Sequence, residues 1–566
     1  MYDLVIRNGK IIDGSGAPAF TGDVAVSDGI IRAVGEVAQP GTREIDAGGH
    51  LVTPGFVDVH THYDGQIIWD PQLESSALHG VTTIMIGNCG VGVAPARPGA
   101  EKLMMKVLED VEDIPVDVLN AGIEWNWESF PEYLDTLDKQ PRAIDVATQI
   151  AHIPLRCYVM GERGLRNEPA SEQDIEQMHD LVKEALEAGA LGFTTSRTEL
   201  HVTGDGQVVP GTVAKVDELA GIARALKGTE GGIFGVVSDF KEWRTEMDWM
   251  KQISIDTGRP VYYLVVFREP GDYDKSREQL AYVREAAKEG AQLIPHVPTR
   301  PINMVMGFDS TYHPFCWHAG FAEIADLPYP QRLKKLQDPE VRKKILGDPQ
   351  ELFGDPTMMF PQEEVPCYEP TADKSVAAQA AREGVDVKEL TYDLMLQDEG
   401  RQMLFYPVYG YDSGDLSVQK EFLEAEGTVV SLADGGAHNC ILADASTPTY
   451  MLSYWTRDRE RGERFTVEQV VKMQAADTAR AIGLGDRGML GVGMKADINI
   501  IDYDKIQIGK AQLRYDLPAN GKRLFQGSQG YIATFVSGVL TYDAGAATGA
   551  MPGRLVRGNR SAPRAH

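Results

Sequence analysis

Cysteine is scarce and poorly placed for cross-linking. The 566 residues contain five, Cys89, Cys157, Cys316, Cys367 and Cys440, an odd number with no Cys-x-x-Cys pair. That usage argues against a disulfide framework and predicts reduced thiols in a cytoplasmic protein. Long apolar runs are missing too, and none approaches the roughly 18 residues of a membrane span. The opening stretch MYDLVIRNGKIIDGSG lacks the basic region and apolar core of a secretory signal, and reads as two strands around an Asn-Gly turn. Positive charge is in deficit. The formal net charge of −28 removes the basic footprint that counterion release requires, which excludes nucleic acid and anionic membrane surfaces as partners. A small-molecule substrate remains the expected partner, and a homo-oligomer stays open.

What is present is a soluble globular composition, 43% hydrophobic and 24% charged, long enough for a large barrel with additions. Residues 1–53 alternate short strands with Asn-Gly, Asp-Gly and Gly-Gly turns, and the composition returns at 484–550, so both chain ends are expected to share one small β-sandwich. Between them, residues 54–483 alternate apolar strands with helical segments, the pattern of a (β/α)8 barrel. The strand candidates are 55–60, 82–86, 145–152, 191–194, 233–238, 261–267, 292–297 and 429–433. Glu172–Glu187 reads as a helix, with Ile175, Met178, Leu181, Val182 and Leu186 at helical spacing. Residues 300–416 are too long for a connection and read as an insertion near the active site. The tail, 551–566, is basic and polar and is expected to fray.

Chemistry concentrates in TPGFVDVHTHYDGQ and GVTTIMIGNCG. The two-residue repeat of a strand turns His60 and His62 to one face, where neutral imidazoles make a ligand pair for zinc or a similar divalent ion. Cys89 would add a soft third donor. His60, His62, Cys89, His152 and Asp434 all fall at strand carboxyl ends, where barrels place their chemistry.

The order of these motifs, with LVIRNGKIIDGSGAP before them and WESFPEYLDTL, AHIPLRCYVMG, GALGFTTSR, SLADGGAH, GVGMKADINIIDYD and TGAMPGRLVRG after them, resembles the amidohydrolase superfamily and its N-acyl-D-amino-acid deacylase group. The resemblance implies metal-dependent hydrolysis of a C–N amide bond, with an N-acyl amino acid as the expected substrate. It implies His60, His62, Cys89 and Asp434 as metal ligands and Asp434 as general base. Cyclic-amide hydrolysis, ring deamination and a non-catalytic binding protein are the rival readings. Two features depart from the family pattern. GIFGVVSDF and PVYYLVVFREP carry no histidine where the family places metal ligands after its fifth and sixth strands, and the fourth strand lacks the bridging lysine of other members. One zinc-type ion is therefore expected, against a pair in which Asp239, Glu269 or His296 replaces the absent ligands. His152 is a candidate for orienting a ligand, His438 for touching the substrate, and Arg156, Arg197, Arg268 and Arg300 for gripping its carboxylate.

Overall fold

The computed structural model describes residues 1–268 and 271–563. Eight strands run parallel around the barrel in chain order. The first, Phe56–Asp58, pairs with Val81–Ile86, which pairs with Asp145–Thr148. That third strand breaks at Gln149 and resumes at Ile150–Ala151 beside the fourth, Gly192–Arg197. Ile233–Ser238, Val261–Leu264, Leu293–Pro298 and Val429–Ser431 follow, each parallel to the last. A parallel bridge between Thr61 and Gly435 joins the ends of the eighth and first strands, with His62 N donating to Gly435 O at 2.8 Å. Strands covered on both faces read as continuous apolar runs, and all six residues of Ile233–Ser238 are buried.

The helix predicted at 172–187 spans Glu172–Ala188. A capping box between Ser171 and Asp174 starts it, and Gly189 at φ 116° ends it. Among the described residues no helix is long and apolar enough to cross a membrane.

Both chain ends enter one nine-stranded sheet. Leu51–Pro54 lies antiparallel to Ile498–Ile501, around a core that includes Ile6, Val26, Val52, Ile500 and Phe535. Only Gly55 separates this sheet from the first barrel strand, so the sheet helps to aim that strand. The expected hairpin at Asn8-Gly9 is instead a bulge within a single strand, Tyr2–Ile11. The strand keeps going because it has two successive partners, Gly41–Asp46 and then Leu51–Pro54. Asn8 absorbs the register shift at φ 55°.

Within 300–416, Ile302–Met306, Phe360–Pro361 and Leu404–Tyr409 form a small antiparallel sheet. Four short helices, Tyr329–Leu336, Pro339–Leu346, Val376–Glu383 and Val387–Met395, pack with it around a separate core containing Phe308, Phe315, Ile345 and Tyr392. The tail is corrected by the structure. As far as Arg560 it is held by backbone bonds, including Val556 N to Val146 O at 2.7 Å and Arg560 N to Gly483 O at 2.9 Å. Its Leu555 and Val556 side chains are buried.

Candidate metal centre

His60 and His62 leave the first strand with ring centroids 5.3 Å apart. Cys89 stands on a tight turn after the second strand, between Gly87 at φ 82° and Gly90 at φ 70°. A β-carbon on Gly87 would fall 2.2 Å from Gln149 O, so only glycine lets the turn approach the third strand. Asp434 follows the eighth strand, and its Gly435-Gly436 continuation packs directly against Tyr63. Cys89, Asp434 and His438 all hold left-handed backbone, at φ 53°, 45° and 49°. Such conformations cost about 1–3 kcal/mol each outside glycine and concentrate where function demands a particular side-chain aim.

Four donor atoms converge. Cys89 Sγ lies 3.3 Å from His60 Nε2, Asp434 Oδ1 lies 3.4 Å from the same nitrogen, and His62 Nε2 lies 3.8 Å from Asp434 Oδ1. The His60, His62 and Cys89 donors all lie within 4.8 Å of one another. In a tetrahedral zinc site with bonds of about 2.0–2.3 Å, neighbouring donors sit about 3.3–3.8 Å apart, which the His60–Cys89, His60–Asp434 and His62–Asp434 spacings match.

The electrostatics suit a cation. Burial, followed by His296, His201 and His438, pushes the His60 pKa down to about 3. Burial and then His60 hold His62 well below the usual imidazole range. Both rings are neutral, as ligands must be. Burial also raises the Cys89 thiol and the Asp434 carboxyl well above their usual ranges, with Asp434 adding to the first and Asp444 to the second. A divalent ion would reverse both shifts by stabilising thiolate and carboxylate.

The remaining predicted residues mostly serve the scaffold. His152 is fully buried between Thr195 Oγ1 at 2.8 Å and Glu218 Oε1 at 3.0 Å, so it orients no ligand of the cluster. Arg156 is also buried and pairs with Glu218 at 2.8 Å, which corrects its assignment to a substrate. Arg197 is held by Glu246 and Ala214 O, Arg268 by Asp239 and Thr198, and Arg300 by Asp444 and the face of Tyr368. None of the three projects as a free clamp. Asp239 is taken up by Arg268 and Glu199 N, and His296 stacks on Tyr262 with Nδ1 3.2 Å from Ser431 Oγ. Neither joins the donor cluster, and Glu269 lies outside the described residues. His438 does face the site, beside Asp434 in sequence and partly open to solvent.

Two nearby residues were missed in the sequence. His201, in the loop after the fourth strand, bonds Ser196 at 2.9 Å and disfavours protonation of His60 and His62. Glu112 ends the helix Glu101–Glu112 with its carboxylate 3.3 Å from His62 Nδ1. Glu112 carried a signal, since it prolongs the buried row Met104–Leu108 with an acid at helical spacing.

The sequence pattern of a family described as the amidohydrolase family matches residues 43–351 and 392–542, skipping part of the insertion. An N-acyl-D-aspartate deacylase of Alcaligenes xylosoxydans xylosoxydans is 31% identical over 294 residues, covering 50% of this chain and 53% of that protein. The match thus spans about half of that relative. An N-acyl-D-glutamate deacylase of the same organism is 27% identical over 515 residues, covering 89% and 88%. Among solved structures, an N-acyl-D-glutamate deacylase of Bordetella bronchiseptica, complexed with zinc and a phosphonate inhibitor, is 25% identical with a TM-score of 0.65, covering 98% of this chain and 99% of that one. From the barrel, the strand-end donors and the extent of the family match, the chain belongs to the amidohydrolase family.

Proposed function

We propose that this protein deacylates an N-acyl amino acid, of the D form, using one divalent ion held by His60, His62, Cys89 and Asp434. The observation that carries the reading is the cluster of His60, His62 and Cys89 donors within 4.8 Å of one another at the strand carboxyl ends, with Asp434 Oδ1 3.4 Å from His60 Nε2 and 3.8 Å from His62 Nε2. A single ion follows from the donors available. Among the described residues the other candidate group, Glu176, His179 and Asp180, lies on the outside of a helix, and neither Asp239 nor His296 joins the buried set. The deacylase relatives support the substrate class.

Bound here, the ion would supply a Lewis acid for the amide carbonyl and acidify a water to near neutrality, and because four protein donors fill a tetrahedral zinc, Asp434 gives up its place or the ion takes a fifth ligand to admit that water. Asp434 manages the protons: its carboxylate accepts one from the attacking water and returns it to the leaving amine nitrogen. Its left-handed backbone aims the carboxylate at the His60 and His62 nitrogens, while the partial exposure of Asp434 and His438 leaves substrate an approach on that side. The neutral His60 and His62 rings stay unprotonated throughout and compete with none of these transfers.

The test is a panel of N-acyl amino acids of both hands, incubated with zinc-loaded protein and assayed for free amino acid. D-form substrates should be hydrolysed in preference to their mirror images. Release of ammonia from ring amines, with no free amino acid from any member of the panel, would replace this reading with deamination.

A further inference from the structure

Glu112 is an expensive residue in an odd position. It closes the helix Glu101–Glu112, where the helix dipole disfavours a negative charge, and its side chain is 1% exposed. A buried carboxylate costs several kcal/mol unless a partner compensates. No arginine or lysine is paired with it among the described ion pairs; the groups facing it are two imidazoles. Oε1 lies 3.3 Å from His62 Nδ1, and Oε2 lies 3.8 Å from His438 Nε2. Neither His62 Nδ1 nor Glu112 Oε2 completes a hydrogen bond of good geometry in the ion-free site.

The backbone around Glu112 is tied to the eighth-strand loop at two points. His438 N donates to Glu112 O at 2.5 Å, and Cys440 N donates to Asp113 Oδ2 at 2.9 Å. Asp113 turns the chain at φ 54° and accepts from Thr311 Oγ1 of the insertion at 3.0 Å. The helix end is thus docked on the segment that follows Asp434, with its last carboxylate between two site histidines.

We infer that Glu112 is a positioning residue of the metal centre, one that holds the Nδ1–H tautomer of His62, so that Nε2 faces the ion, and anchors His438 beside it. The inference rests on the single-ion reading above. His62 offers the geometry: its Nε2 points to Asp434 while its Nδ1 points the opposite way, to Glu112. A carboxylate behind a ligating imidazole fixes ring orientation and raises ligand basicity, and its loss typically weakens metal binding about 10–100-fold. Glu112 sits in the excursion between the second and third strands, so it is an acid added to the site from outside the strand-end set.

The test uses the full chain and Glu112→Gln, which keeps shape and removes charge. Zinc affinity is read by chelator competition, and the ligand field by the visible spectrum of the cobalt(II)-loaded protein. The expected result is a zinc Kd raised about 10–100-fold with a shifted cobalt spectrum, while the ion-free variant melts close to the parent. Unchanged affinity and an unchanged spectrum would overturn the inference, as would a lowered ion-free melting temperature with both metal readouts intact, which would mark a merely structural role. If Glu112→Gln does not fold, Glu112→Asp keeps the charge but shortens the reach, and is held to the same standard at about tenfold. Failure of the parent chain itself to bind zinc would instead refute the underlying single-ion reading.

Discussion

At the scale of the residue, the site is made of side chains whose burial disfavours the charged form of each. Burial raises the Asp434 and Cys89 pKa values and lowers those of His60 and His62, so a divalent cation, which favours carboxylate, thiolate and neutral imidazole together, makes the set chemically consistent. Asp434→Asn keeps a neutral oxygen donor but cannot carry the proton. It should retain zinc with reduced affinity while kcat falls by about 10²–10⁴, checked by elemental analysis beside initial rates. Turnover within a fewfold of the parent would remove Asp434 from proton transfer. The principal donors were legible in the sequence because they follow strands in a recognisable order. Arg156 and Arg300 were not, since their partners Glu218 and Asp444 lie 62 and 144 residues away and only the folded chain brings them together. Arginines after strand ends look alike in sequence whether they face substrate or a buried acid.

At the scale of the element, the eight barrel strands were readable because burial on both faces leaves uninterrupted apolar runs. The helix Glu172–Ala188 was readable because Ile175, Met178, Leu181, Val182 and Leu186 recur at helical spacing. Within the insertion, the charged, helical stretch LPYPQRLKKLQDPEVRKKILGD was readable and forms Tyr329–Leu336 and Pro339–Leu346, but the rest was not, because its core, from Met306 to Leu404, is spread through the segment without one sustained period. The Asn8-Gly9 misreading is the same problem in miniature: turn chemistry and bulge chemistry use the same residues, and the choice belongs to the strand's partners. The turn carrying Cys89 gives this scale its test. Gly87→Ala would place a methyl 2.2 Å from Gln149 O at φ 82°. It should destabilise the fold by about 2 kcal/mol or more and weaken zinc retention, measured by denaturant unfolding and by metal content after dialysis. An unchanged midpoint with full metal would show that the turn tolerates a side chain and does not depend on glycine.

At the scale of the whole molecule, both ends of the chain close on the barrel. The nine-stranded sheet leads through Gly55 into the first strand, and the tail binds back at the start of the third, where Arg554 N meets Asp145 Oδ1 at 2.9 Å. The basic, polar character of the tail concealed this, because backbone bridges need no sequence signature and few of its residues, chiefly Leu555 and Val556, supply apolar anchors. Removing residues 553–566 should cost about 3–6 kcal/mol from those two side chains alone and move the unfolding midpoint to lower denaturant. A truncated chain with the parent midpoint would restore the frayed tail.

The central claim is that one divalent ion, gripped by His60, His62, Cys89 and Asp434, does the chemistry, and elemental analysis of protein purified without added metal tests it most directly. The account predicts about one zinc-type ion per chain in the parent, and neither metal nor hydrolysis in His60→Ala. Full hydrolysis by protein that carries no metal would contradict it.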